Sequence, residues 1–402
     1  MSRNPWWIVC AAFLGVSVSF ASIVVFSFGV FIKPLQESFG WTRSQVSLAF
    51  SIGALTVCFC SPFLGRLADR IGAKRVILPS AAVLGLAYGS MAFLGGGLAQ
   101  FYATYVVMGI VGNGATQLTY SRIVSARFDR RRGMALAFVM TGVGVGAMVI
   151  PALAQALIAA RGWRQAYLWL AGVVLLLGVI PAAILLPSAK EGSRSPVPEG
   201  GMASRQARRT LDFWKLVLAF FLFSLAVNAA VAHLVPMLTD GGLTAASAAL
   251  ASSVMGAATV VGRLVTGVLL DRFSGARVGC VACLLAAVGL GLANAGGTMV
   301  MACAMAALIG FGMGAEADVM PYLISRRFGL RSMAELYGVA FSAFALAGAA
   351  GPALMGRVFD KTGSYRLLTP VLAVLIAVSG LLLLTLRVST PSPVELEHQL
   401  QS

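Results

Sequence analysis

The sequence predicts an all-α membrane protein of twelve transmembrane helices in two pseudo-symmetric six-helix bundles. Three observations carry this expectation. Of 402 residues, 59% are hydrophobic and only 11% are charged, against roughly 25% charged residues in a soluble domain. Apolar stretches near the roughly 20 residues that cross a bilayer occur twelve times. A charged segment after the second stretch also returns, at six matching positions, after the eighth.

The stretches lie at about 5–32, 43–64, 76–96, 100–121, 134–158, 166–187, 213–238, 246–268, 278–297, 299–324, 335–356 and 366–387. The first opens on Trp6 and Trp7, which suit an interfacial belt. It is too long and too weakly basic at its start for a cleavable signal, so it reads as a retained helix. A short charged loop parts the second from the third. The fourth carries Asn113, Gln117 and Tyr120 at i, i+4 and i+7. Such a stripe either binds membrane helices together or lines a cavity. The fifth holds Gly142, Gly144 and Gly146, which permit close helix approach, and the sixth starts near Trp163 and Trp169. Pro187 to Thr210 is the one long polar segment and reads as a flexible linker. The seventh bears Asn228 and His233, weaker candidates for a site, because a histidine near a span's outer end is commonly interfacial. The eighth holds Arg263, the tenth Glu316 and Asp318, and the eleventh has no Lys or Arg from Leu336 to Met355. The division that follows is a bundle at 1–187, a cytoplasmic linker at 188–211, a second bundle at 212–388 and a tail at 389–402.

The net charge of +16 raises nucleic acid as a partner, and its distribution argues against one. With the amino terminus inside, 22 of the 30 basic residues fall on the inner side and 7 outside, with Arg263 between. This excess follows the positive-inside rule and sets both termini in the cytoplasm. Six cysteines all lie in apolar spans; Cys280 and Cys283 have metal-motif spacing but no histidine nearby, so they read as small buried hydrophobes. No metal, cofactor or nucleophile motif is expected, and the chain does not read as an enzyme.

The two halves repeat. Gly65, Leu67, Asp69, Arg70, Arg75 and Val76 recur as Gly267, Leu269, Asp271, Arg272, Arg277 and Val278, and Pro151-Ala-Leu with Gly162 recurs as Pro352-Ala-Leu with Gly363. Gly-x-Leu-x-Asp-Arg-x-Gly-x-(Lys/Arg)-Arg resembles the loop signature of the major facilitator superfamily. That resemblance implies parallel six-helix repeats with a substrate site at the midplane between them. Gly65, Asp69 and Arg70, with Asp271 and Arg272, become gating candidates: Gly65 for close approach, Asp69 for a helix amino terminus, Arg70 for pairing with an acid. The alternative is a basic, solvated topological loop.

Arg263 follows Leu250 to Gly262 and precedes Leu264 to Leu270. A guanidinium at such depth costs roughly 2.5–3.5 kcal/mol on insertion scales. It needs a wet cavity or a partner, and its planar fork suits a carboxylate. Arg263 lies about 17 residues into a descending helix and Asp318 about 19 into another running the same way, which at 1.5 Å per residue puts them at similar depth. Asp318 and Tyr322 share a face at i, i+4, with Gly314 one turn above, and Glu316 lies on the opposite face. Asp318 is therefore favoured for the cavity, and Glu316 for pairing with another helix.

Phe128-Asp-Arg-Arg-Arg-Gly-Met-Ala-Leu-Ala137, Gly162-Trp163-Arg164 and Phe31-Ile-Lys33-Pro-Leu resemble segments of the monocarboxylate transporter family. Gly262-Arg263 is similar to the eighth-helix arginine segment of monocarboxylate transporters and bacterial oxalate/formate exchangers, and the run Gly314 to Gly329 is similar to that of bacterial members. The resemblance implies that Arg263 binds the substrate carboxylate. There are departures. The animal proteins carry a first-helix lysine where this chain has Phe26, and an aspartate where it has Thr259. The eleventh-helix lysine of oxalate exchangers has no counterpart, which disfavours a dicarboxylate.

The expected function is secondary active transport of small monocarboxylates of the lactate or pyruvate kind, as proton symport by alternating access. Arg263, Tyr322, Asn113, Gln117 and Tyr120 are the expected substrate contacts, and Asp318 or Glu316 the proton carrier. Partners are then a small organic anion, a proton and the bilayer, with no nucleic acid and a monomer sufficing. The location is the bacterial cytoplasmic (inner) membrane. An organic-anion exchanger and a drug–proton antiporter are the alternatives; carriers of cationic drugs rely on embedded acids without a solitary deep arginine.

Overall fold

A computed structural model describes residues 6–125, 127–128, 132–187, 202–294, 298–329 and 332–386. Nine described helices are long and apolar enough to cross a membrane. One of these, Met134–Leu185, holds two spans, and two further elements complete the twelve. We number them in chain order. Helix α1 is Trp6–Phe39, with a π segment at Ala21–Val25. α2 is Arg43–Ile71, α3 is Ala73–Ser90, and α4 comprises two pieces, Leu98–Ile110 and Gln117–Ser125. α5 (132–161) and α6 (163–185) are one helical run bent at Gly162, whose φ of 79° only glycine adopts cheaply. The second half gives α7 Leu211–Asp240, α8 Ala245–Arg272, α9 Gly275–Gly291, α10 Met299–Phe328, α11 Met333–Thr362 and α12 Leu368–Leu384.

Local chemistry sets the ends. Thr42 and Gln45 form a reciprocal capping box at the start of α2. Thr244 and Thr298 accept the backbone N–H three residues on, at the starts of α8 and α10. Gly40 and Gly363, both left-handed, close α1 and α11. Two apolar cores fill the first half and a third, larger one fills the second.

Several elements run past their expected ends, α2 to Ile71 rather than 64 and α11 to Thr362 rather than 356 among them. α1 runs to Phe39 rather than stopping near residue 32. The fourth span breaks at Gly112-Asn113-Gly114, because both glycines lie against α3, at Leu84 and at Ser80, where a side chain would not fit. The expected i, i+4, i+7 stripe is therefore not one helical face. The expected linker is ordered at its described end: a helical turn spans Ser204–Ala207, Met202 N–H donates to Phe328 O at 2.8 Å, and Arg208 pairs with Glu335. The rest of the linker, the tail at 389–402, Arg130 and Arg131 lie outside the described residues.

The halves meet along α1–α7, α2–α11 and α5–α8. Gly256 of α8 sits against the backbone of Ala147 and Met148 of α5, and Gly356 of α11 against Arg43 and Ser44 of α2. We call the end bearing the linker the linker end, and the end of Arg43 and Asp240 the far end.

Candidate functional site

Arg263 follows Gly256 by seven residues, so it lies two turns nearer the linker end on the face turned to the first half. Its Nη2 lies 3.2 Å from Oδ1 of Asp318, and the two side chains keep 32% and 28% of their surface exposed. Glycines explain how α8 and α10 come this close. Gly310 lies against Met255, Gly262 against Phe311, and Gly314 against Thr259 O and Arg263 N, all backbone contacts. Gly314 stands one turn from Asp318, so the contact that seats the helices also sets the ion pair. A half-wet cation and anion between two bundles are a pair that a third charged group can join or split.

Glu316 faces the other way. It lines a small void inside the second half with Phe220, Phe223, Cys283, Val319 and Leu383. Tyr322 joins neither member of the ion pair by a hydrogen bond among the described residues. Its ring lies against Gly275 at the start of α9, under the Arg326 guanidinium at 5.5 Å. Tyr337 of α11 lies within electrostatic reach of Arg263, Asp318 and Glu316. Sequence spacing missed it because it belongs to a third helix.

In the first half, Asn113 donates to Ser61 Oγ at 2.7 Å and so ties α4 to α2. Tyr120 is fully buried against Gly15 of α1, and its hydroxyl has no hydrogen-bond partner among the described residues. Gln117 is half-buried at the start of the second piece of α4. Asn113 and Tyr120 are thus engaged within the first half, on α2 and α1, and not at Arg263. Of the gating candidates, Gly65 O accepts from Arg122 of α4 at 2.9 Å. Arg70, Asp271 and Arg272 are exposed at the linker end; the Asp69 side chain lies outside the described residues.

A second polar cluster sits at the far end, built from positions that no local pattern along the chain connects. The two oxygens of Asp240 take different cations: Lys33 at 2.7 Å on Oδ1 and Arg43 at 2.6 Å on Oδ2. Asp360 accepts the backbone N–H groups of Arg43 and Ser44, at 3.0 and 2.9 Å. The Arg43 guanidinium lies 3.6 Å from the Phe359 ring centroid and also donates to the Tyr365 hydroxyl. Burial, ahead of every other influence, pushes that hydroxyl above its ordinary titration range, with Arg43 pulling it back. It therefore stays a proton donor at physiological pH. His233 is fully buried, not interfacial as its place near a span's end suggested. Its Nε2 lies 3.0 Å from both Pro352 O and Ser47 Oγ, and its Nδ1 2.9 Å from the Tyr365 hydroxyl. A carbonyl only accepts, so Nε2 carries the proton and Nδ1 accepts from Tyr365. The His233–Ser47 contact, with those of Lys33, Arg43 and Ser44 to Asp240, Asp360 and Tyr365, crosses between the halves and closes the far end.

Comparison with known proteins agrees with this architecture. The sequence profile of the Major Facilitator Superfamily matches residues 12–352. Monocarboxylate transporter 13 of Rattus norvegicus is 29% identical over 392 residues, covering 94% of this chain and 88% of that one. The uncharacterized MFS-type transporter YhjX of Escherichia coli (strain K12) is 26% identical over 340 residues, covering 82% and 83%. Among solved structures, a D-xylose-proton symporter superposes with a TM-score of 0.76 over 95% of this chain and 97% of that one, at 14% identity. With twelve spans in two repeated halves and a profile match across most of its length, the chain belongs to the Major Facilitator Superfamily and is a multi-pass membrane transporter, not an enzyme.

Proposed function

We propose that this transporter carries small monocarboxylates of the lactate or pyruvate kind, by alternating access and coupled to a proton. The observation that carries the reading is the Arg263–Asp318 pair, 3.2 Å apart and half-wet between the bundles. Relatives named monocarboxylate transporters, at 24–29% identity, support the same substrate class.

In the empty carrier Asp318 neutralises Arg263. An arriving carboxylate competes for the same guanidinium, and two anions on one cation repel. A proton on Asp318 removes that conflict, leaving Arg263 to the substrate and Asp318 neutral beside it. Substrate and proton then move together, which is symport. The absence of a lysine or arginine between Leu336 and Met355 leaves one central cation and favours one carboxylate per substrate. Rocking of the halves, residues 1–187 against 212–388 about the 188–211 linker, exposes the pair to each side in turn. By the distribution of basic residues the linker end and both termini face the cytoplasm of a bacterial inner membrane, and a monomer suffices. Asp69, Arg70, Asp271 and Arg272 would then meet across the linker end when it closes.

The test is uptake of labelled L-lactate by purified protein in liposomes, with and without a pH gradient. Arg263→Ala abolishes uptake if the reading holds; unchanged uptake removes Arg263 from the site. Uptake that proceeds only against an internal organic anion, indifferent to the gradient, would replace symport with exchange.

A further inference from the structure

We infer that Lys33 and Arg43 form a second carboxylate site, at the far end, which holds a small organic anion on its way to Arg263. This rests on the monocarboxylate reading above. Asp240 is the structural stand-in: one carboxylate is bridged by two cations, Oδ1 on Lys33 and Oδ2 on Arg43. Bridging by two cations is how a free carboxylate in a shallow site would be held.

The division between halves makes this a site and not only a clasp. Both cations belong to the first half, on α1 and at the start of α2, and Asp240 ends α7 of the second. The other groups facing Arg43 that leave with the second half are Asp360, Phe359 and Tyr365. When the far end opens, Arg43 loses all of them. Gln36 of its own half stays, its Oε1 accepting from Arg43 Nε at 3.3 Å. Glu37 is the one acid among the residues lining the mouth there, with Lys33, Gln36, Gly40, Trp41 and Arg43. That mouth is a wide, shallow depression of about 410 Å³ on the first half. Two cations and one exposed acid leave the open mouth net positive. An anion from solution takes the place Asp240 vacates, and on closure Asp240 displaces it inward.

The two roles predict opposite signs for one variant. If Lys33 only clasps Asp240, Lys33→Gln loosens the closed state and lowers the KM for L-lactate at the far face, or leaves it unchanged. If Lys33 also binds the anion, Lys33→Gln raises the far-face KM, roughly threefold to tenfold relative to the linker-face KM, and Lys33→Arg restores it. The measurement is initial uptake of labelled L-lactate in liposomes of defined orientation, with each face examined separately. A far-face KM that falls or stays put, in protein whose uptake still depends on Arg263, overturns this site alone. A wild-type protein that takes up no lactate overturns both this site and the monocarboxylate reading.

Discussion

His233 of the second half meets Ser47 of the first at 3.0 Å, with both side chains fully buried. The same ring takes the Tyr365 hydroxyl on its other nitrogen, and Tyr365 takes Arg43. Replacing the ring by a hydrocarbon strands the buried Ser47 hydroxyl and takes from the Tyr365 hydroxyl its acceptor, while Arg43 still donates to it. A buried group left unpaired costs about 1–3 kcal/mol. That cost falls only on the state closed at the far end, since opening gives both hydroxyls to water. His233→Leu is therefore expected to shift the carrier toward the far-end-open state. A cysteine at Ser51, one turn deeper on α2, placed in protein lacking the native cysteines, reads this out. Its modification by a membrane-impermeant maleimide from the far side should quicken roughly tenfold or more. An unchanged rate would show that His233 does not hold the closure.

Gly314 is expected to tolerate no side chain. Its added carbon would strike Thr259 O and Arg263 N, which are backbone and cannot rotate away. Gly314→Ala forces α8 from α10 at the level of the ion pair, with an overpacking cost of about 1–3 kcal/mol. Both thermal stability in detergent and lactate uptake should fall. Gly338→Ala is the control, since nothing lies within 4 Å of its added carbon; it should leave the melting temperature unchanged or raise it slightly. Equal behaviour of the two variants would mean that helix proximity at Gly314 does not set the Arg263–Asp318 pair.

Asp318 and Glu316 separate by what they face. Asp318 reaches Arg263 at the cleft, and Glu316 lines a small apolar void within the second half. A carboxamide in place of Asp318 keeps the shape and cannot take a proton. Uptake by the wild type should rise as the outer solution is acidified, and uptake by Asp318→Asn should be flat across the same range. Glu316→Gln should keep the rise. The reverse pattern would assign the proton to Glu316.

What the sequence made legible follows from what a single chain encodes. Span number and the two halves came from apolar run length and an internal repeat, both local properties. Similar depth for Arg263 and Asp318 came from helical rise, which needs no knowledge of neighbours. Tyr322 shows the limit: its spacing from Asp318 is right, but α9 claims its ring through Gly275. The break in α4 was hidden because Gly112 and Gly114 stand in an apolar run, and the reason for the break is α3. The far-end cluster was hidden most completely. Arg43 meets Asp240, Asp360 and Tyr365, and no pattern along the chain ties positions so distant to one another.

Tyr120 offers the sharpest contrast between a lining and a core residue. Its spacing from Asn113 and Gln117 suggested a contact to substrate, yet it is fully buried between α4 and α1 with its hydroxyl unpaired among the described residues. An unpaired buried hydroxyl forfeits its hydrogen bonds to water, at about 1–3 kcal/mol. Removing that oxygen removes the cost and keeps the ring that fills the core. Tyr120→Phe should therefore leave the KM for lactate unchanged and hold or raise the melting temperature. A hydroxyl that reaches the substrate in another state of the cycle would instead raise KM several-fold, without any gain in stability. Uptake kinetics and a thermal melt on the one variant thus decide whether Tyr120 serves cargo or core.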